Sequence, residues 1–373
     1  MNIVFWQNIV SPHQAPFLRA LADFGNEVTV VAAESMTADR LALGWEVPDL
    51  RRAHVVVNPS AVETKRLIEK SPKEAIHVMA GARWTRLGNQ AVRQCLASGR
   101  RLGIMSEAPD PRGILGYGRW ARYAIERYAR GSRYDFVLAM GEMGVRWFRR
   151  CGYPAWRLFP FAYVTEPVRL LHTNDPANAV SLLYAGRFIA LKGLGRLLRA
   201  FAAVPSERAQ LRLLGEGPEK QWLEDYARDL GIQNRIVWLA KRSPAEVQLE
   251  MEKADVTLLP SRKDGWGAVV NESLMVGTPV ICSTACGAAE LIQQPWLGTV
   301  FRAGRLDDLA NALRYWIDLG PRSSAERERI RNWAACISGQ EVANYCIAIL
   351  DHIYANSVRP VAPWRATLGA SDL

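Results

Sequence analysis

Several features that would mark a specialised architecture are missing from this sequence. Six cysteines are scattered through 373 residues, too sparse for a disulfide framework and without metal-ligand spacing. The closest pair, Cys282 and Cys286, falls in an apolar strand and the turn after it, so the cysteines read as buried free thiols in a reducing compartment. No apolar run approaches the roughly 18 residues of a transmembrane helix. The opening Met1-Asn2-Ile3-Val4-Phe5-Trp6 lacks the basic flank of a secretory signal and reads as a first strand. No Asp-x-Asp pair is present to hold a divalent metal on a diphosphate, and no nucleic-acid-binding module is recognisable. These absences point to a cytoplasmic protein that needs no metal or other cofactor and has no nucleic-acid partner.

What is present is a chain long enough for two domains, each with its own core. The formal net charge of +10 is unevenly spread. Residues 1–170 hold 24 Lys and Arg against 15 Asp and Glu, whereas the remainder holds 23 against 22. A basic first half suits an anionic partner such as anionic lipid, a lipid pyrophosphate or nucleic acid, or is simply an arginine-rich surface.

Strand-length apolar runs alternate with amphipathic stretches almost throughout, the pattern of a parallel sheet covered by helices. In the first half, strands are expected at Ile3–Ile9, Glu27–Ala33, His54–Val57, Ala75–Met79, Leu102–Met105 and Phe136–Ala139, with a helix at Ala15–Asp23. Phe159–Tyr163 and the polar Thr173–Pro176 read as the exit from that domain and a linker. A second series follows, with strands at Ser181–Ala185, Gln210–Leu214, Ile236–Leu239, Val256–Leu259, Pro279–Cys282 and Thr299–Phe301. Ser243-Pro244-Ala245-Glu246 is a capping box with proline at the first helical position. Gly277 stops the helix before Pro279, and Val342–Tyr354 forms a late helix. The expected architecture is α/β, two Rossmann-like domains in series: residues 1–170 for the acceptor, 171–340 for the donor, and 341–373 as a terminal helix and tail.

Three loops, expected at the carboxyl ends of consecutive strands in the second half, carry chemistry, where open α/β sheets bind ligands. In Tyr184–Gly193, Gly186 turns the chain off its strand and Arg187 and Lys192 direct two cations at one place, as a pyrophosphate requires. Leu214-Gly215-Glu216-Gly217-Pro218 is a second tight turn, though turn chemistry alone explains it. Pro260–Glu272 places Asp264 in a loop and Glu272 on a helix beginning near Gly267, with small residues between them. Either carboxylate by itself would be an ordinary solvated group. The three loops together, in βα order, favour a site.

This order, Gly-Arg…Lys-Gly, Leu-Gly-Glu-Gly-Pro, then Asp-x7-Glu before Met275–Val280, resembles the retaining nucleotide-sugar glycosyltransferases of family 4, which have the GT-B fold. The resemblance is close over about residues 181–310 and holds in outline before them. It implies two Rossmann-like domains facing across a cleft, with the terminal helix returning to the first. It further implies that Arg187 and Lys192 hold the donor diphosphate, Glu272 the ribose and Asp264 the transferred sugar. The amides of Gly267, Ala268, Val269 and Val270 would line phosphate and sugar, with Gly186, Gly215, Glu216, Gly217 and Trp266 completing the donor-binding set. The family more often has Glu where this chain has Asp264.

In the first half, family members often place a histidine in the catalytic cleft after a mid-domain strand; here that position matches Glu107, in Ser106-Glu107-Ala108-Pro109. His13, in the first βα loop, is the alternative, and for both an exposed or structural role competes. His54 and His77 read as core or strand-edge residues. Arg112–Tyr134 interleaves arginines with Tyr117, Trp120, Tyr123 and Tyr128, a composition that suits either a membrane interface or a helix with its aromatics in the core. Similar transferases dock on membranes to reach lipid-linked acceptors.

The resemblance therefore implies metal-independent, retaining transfer of a hexose or N-acetylhexosamine, from a UDP-sugar first and GDP-mannose second. The acceptor would be a glycan or lipid-linked molecule in surface-polysaccharide or lipopolysaccharide assembly, reached from the inner face of the membrane. A nucleotide-sugar epimerase and a non-catalytic binding module are the rival readings.

Overall fold

The computed structural model describes residues 1–42, 44–81, 85–130, 133–166 and 179–366. The expected linker at Thr173–Pro176 lies outside these. The chain divides into two compact units, Met1–Glu166 with Cys336–Leu373, and Pro167–Ala335.

Unit 1 is built on a parallel sheet of β1 (Asn2–Gln7), β2 (Glu27–Ala32), β3 (His54–Val57), β4 (Ile76–Ala80), β5 (Arg101–Ser106), β6 (Phe136–Met140) and β7 (Leu158–Phe161). Their order is β3-β2-β1-β4-β5-β6-β7. Central strands are apolar on both faces because helices cover both, and β6 is buried along its whole length. The segment expected to leave the domain at Phe159–Tyr163 instead begins as β7, a seventh strand. Pro160 is tolerated because β7 is an edge strand, paired only with β6.

The late helix runs over Gly339–Ala355 and packs on helix Ala15–Asp23 within unit 1. Its first residue approaches so closely that a Cβ on Gly339 would lie 2.6 Å from the backbone of Pro16. Tyr345 stacks on Phe161 at 6.2 Å, and Tyr354 donates a 2.8 Å hydrogen bond to Asp135. The return of the terminal helix to the first unit is thus observed.

Unit 2 carries a second parallel sheet of β8 (Val180–Ala185), β9 (Ala209–Leu214), β10 (Ile236–Leu239), β11 (Val256–Leu259), β12 (Val280–Ser283) and β13 (Gly298–Phe301). Their order is β10-β9-β8-β11-β12-β13. The expected capping box forms on helix Pro244–Lys253, with Ser243 and Glu246 each satisfying the other's amide. Strand order reverses between β1 and β4 in one sheet and between β8 and β11 in the other. Loops at the carboxyl ends of these strands open the crevices in which such folds take ligands.

Candidate active site

The three loops singled out in unit 2 follow β8, β9 and β11. These strands are not consecutive in the chain, but they are neighbours in the sheet, which brings the loops together. Two glycines set how close they come. Gly215 has φ +140°, and a Cβ there would fall 2.0 Å from the carbonyl oxygen of Gly186. Gly193 has φ +74°, and its Cβ would fall 2.5 Å from the carbonyl oxygen of Pro260. No larger residue permits this packing. Backbone bonds then stitch the loops, from Phe188 N to Glu216 O at 2.8 Å and from Arg262 N to Leu191 O at 2.8 Å.

This scaffold places Lys192 against Asp264, Nζ to Oδ2 2.5 Å, both side chains about four-fifths buried. Asp264 is held from behind, its amide donating to Ala285 O at 2.9 Å. Arg187 is exposed, and its guanidinium has no partner among the described residues. Its backbone is nevertheless fixed, because the buried Tyr184 hydroxyl donates to Arg187 O at 2.9 Å. Glu216 is exposed, contributing its carbonyl rather than its carboxylate to the loop contact.

Glu272 lies on the short helix Val269–Met275. Ser273 beside it donates to Thr278 O at 2.8 Å across the turn at Gly277, which anchors the helix end. The Glu272 carboxylate has no hydrogen-bond or ionic partner among the described residues, and burial pushes its pKa up to about 7. A half-buried carboxylate without a donor is poised to accept hydrogen bonds from a ligand's hydroxyls.

Two expectations for this loop are revised. Trp266 is 2% exposed, and its indole donates to Asn271 Oδ1 at 2.7 Å, so the ring shapes the loop from within instead of meeting a donor. The amide of Val270 bonds Gly267 O at 2.9 Å within the tightened first turn, so it is not available to phosphate. The amides of Gly267, Ala268 and Val269 have no acceptor among the described residues.

In unit 1, the two candidates Glu107 and His13 converge on one polar cluster. After β7 the chain turns back along the carboxyl edge of the sheet, where Val164 N donates to His13 O at 2.9 Å. Tyr163 is thereby set beside the His13 ring, at 6.4 Å, and hydrogen-bonds Glu107 and Gln14. Burial, then the Glu107 carboxylate, raises the Tyr163 phenol well above its ordinary pKa, so it stays protonated. Trp45 packs edge-on to His13 at 4.8 Å and is covered by the Arg40 guanidinium at 4.7 Å. Sequence reasoning missed Tyr163, Gln14 and Gln7. The available signal was Gln7, an amide ending an otherwise apolar strand.

His77 is core, as expected, with Trp6 Nε1 donating to Nδ1 at 3.1 Å. All six cysteines are free, and only Cys336 is more than slightly exposed.

Residues 173–334 match the model of glycosyl transferases group 1. That stretch, most of unit 2, is similar to the group 1 glycosyltransferases. Among the relatives of this chain is a D-inositol 3-phosphate glycosyltransferase of Corynebacterium kroppenstedtii, 30% identical over 194 residues, 49% of this chain and 42% of that protein. A lipopolysaccharide core biosynthesis glycosyltransferase, LpsE, of Rhizobium meliloti is 29% identical over 140 residues, 38% of this chain and 40% of that protein. The chain thus spans less than half the length of these relatives. Solved structures extend the likeness in fold to nearly the whole chain. The lipopolysaccharide outer core galactosyltransferase WaaB matches at TM-score 0.69 and 16% identity over 96% of this chain and 100% of that one. Anabaena Alr3699/HepE in complex with UDP matches at TM-score 0.71 and 16% identity over 94% and 100%. The chain therefore has the GT-B fold, two Rossmann-like sheets in series.

Proposed function

We propose that this protein transfers a hexose or N-acetylhexosamine, with retention at the anomeric carbon, from a nucleotide-diphosphate sugar to a glycan or lipid-linked acceptor in surface-polysaccharide or lipopolysaccharide assembly. The observation that carries this reading is the convergence in unit 2 of an exposed unpaired Arg187, the Lys192–Asp264 pair and the donor-less Glu272 on loops of adjacent strands. Arg187 and Lys192 meet the diphosphate, assisted by the amides of Gly267, Ala268 and Val269. Glu272 accepts from ribose hydroxyls. Asp264, released from Lys192 when the diphosphate takes that cation, orients the sugar. The bond from the anomeric carbon to the phosphate oxygen breaks as one to the acceptor oxygen forms on the same face. The acceptor proton passes to the departing diphosphate. UDP is favoured over GDP because a protein of the same fold was solved with UDP and with UDP-glucose.

The acceptor is held by unit 1, and its lipid is reached from a membrane surface. Helix Gly113–Arg130 supports this by splitting its aromatics. Tyr123 is buried against Trp147 and Phe148, which is the core role. Ile114, Tyr117, Ile125 and Tyr128 form one outward stripe, with Ile114 90% and Tyr128 94% exposed. Arg122, Arg146, Arg149 and Arg150 are exposed on or near this helix, matching an anionic lipid surface. No helix among the described residues is long and apolar enough to cross a membrane.

The test is to incubate the protein with UDP-[1-13C]glucose and a panel of methyl hexosides, and to follow the anomeric carbon by NMR. An α-linked product supports the reading. A β-linked product, or a sugar epimerised without any acceptor, overturns it.

A further inference from the structure

Along the carboxyl edge of the unit 1 sheet, hydrogen bonds run in one direction and end on Glu107. The chain starts at Gln7, the last residue of β1, only 4% exposed. Its amide nitrogen donates to Gln14 Oε1. An amide offers one oxygen and one NH2 group, so once the Gln14 oxygen is taken as acceptor, its nitrogen is left to donate. That nitrogen meets the Tyr163 hydroxyl oxygen. With its oxygen accepting from Gln14, the Tyr163 hydroxyl directs its single proton to the Glu107 carboxylate. Every donor in the chain points toward Glu107.

The arrangement has a cost that packing alone would not retain. Gln7 Oε1 is buried without a hydrogen-bond partner, and an unsatisfied buried acceptor is costly. Rotating the amide would satisfy that oxygen differently but reverse the whole series. The charged and titratable groups around Tyr163 are Glu107, Arg40 and His13, from the loop after β5, the segment after β2 and the first βα loop.

We propose that Tyr163 is a positioning residue of the acceptor site: it fixes the Glu107 carboxylate, through the Gln7–Gln14 chain, as the receiver of a hydrogen bond from an acceptor sugar hydroxyl. This rests on the transferase reading above. Glu107 touches the acceptor; Tyr163 acts through Glu107.

Tyr163→Phe keeps the ring and removes only the donated proton. The first readout needs no ligand. In protein labelled with [δ-13C]glutamate, with the Glu107 signal assigned by its loss in Glu107→Gln, the carboxylate is titrated in wild type and in Tyr163→Phe. The midpoint is expected to rise by about one pH unit in the variant, because the ionised form has lost a donor. Gln14→Met, which frees the phenol to rotate, should give a smaller rise and serves if Tyr163→Phe does not fold. Coincident midpoints overturn the proposal. The second readout is transfer from UDP-glucose to methyl hexosides. The KM for the hexoside is expected to rise about tenfold with kcat and UDP affinity unchanged, whereas an equal loss of UDP affinity would mean a merely structural role and overturn it. If UDP binds neither protein, the donor reading fails while the titration still decides the link between Tyr163 and Glu107.

Discussion

The Lys192 ammonium lies 2.5 Å from the Asp264 carboxylate, joining the loop after β8 to the loop after β11. A diphosphate entering the site offers Lys192 a second anion. On the proposed reading, the pair exchanges partners when a donor diphosphate binds. A double-mutant cycle of Lys192→Met and Asp264→Asn, read by denaturant unfolding, should give a coupling of about 1 kcal/mol without ligand. Saturating UDP should reduce it toward zero. Coupling that is unchanged by UDP would show that the pair is only structural.

The two units should respond to pH in opposite directions. Burial, with Arg100 adding to it, pulls the His77 pKa down to about 4. Folded unit 1 then excludes a proton that the unfolded chain binds below about 6.5, so its stability falls as pH drops from about 6.5 toward 4. Burial raises Glu272 to about 7. Folded unit 2 keeps a proton that the unfolded chain has released above about 4.3, so its stability falls as pH rises from about 4.5 through 7. Hydrogen exchange at pH 5 and 6.5, corrected for intrinsic rates, should show β4 better protected at the higher pH and Val269–Met275 at the lower. Glu272→Gln should abolish the second trend only. Parallel trends in the two units would contradict this assignment.

Gly215→Ala tests the loop packing. The added methyl meets the Gly186 carbonyl in a backbone conformation that alanine resists. Unit 2 should lose roughly 2–4 kcal/mol of stability and its nucleotide affinity together. Wild-type unfolding midpoints would show that the loops do not need this approach.

Much of the fold was legible in the sequence. Alternation of apolar runs gave nearly every strand, since buried parallel strands are apolar throughout. Gly186, Gly215 and Gly217 marked the donor loops because only glycine permits their close contacts. The strand at Leu158–Phe161 was hidden by Pro160, which an edge position tolerates and an interior one does not. The Tyr163–Glu107 contact was illegible for a different reason. It joins positions far apart in the chain, and only the turn of the segment after β7 back over the sheet brings them together. Trp266 was misplaced because residue type cannot say which side of a loop a ring occupies.

The outward stripe of helix Gly113–Arg130 predicts binding to anionic lipid. Ile114→Glu with Tyr128→Glu should leave the fold intact, since both side chains are almost fully exposed. Co-sedimentation with phosphatidylglycerol vesicles should fall at least about tenfold, the result expected when two inserted side chains become charged. Phosphatidylcholine vesicles should bind weakly in either case. Equal binding of variant and wild type to the anionic vesicles would remove this face from the account.

The most direct measurement of the central claim is thermal stabilisation by UDP, GDP, ADP and CMP, without metal, of wild type and of Glu272→Ala. A nucleotide at about 100 times its dissociation constant adds roughly 2.7 kcal/mol to the folded state. The account predicts that UDP raises the Tm of the wild type with no metal added, and that the rise is largely lost in Glu272→Ala. No shift with any nucleotide at millimolar concentration, or an equal shift in the variant, would contradict a donor site built on Arg187, Lys192 and Glu272.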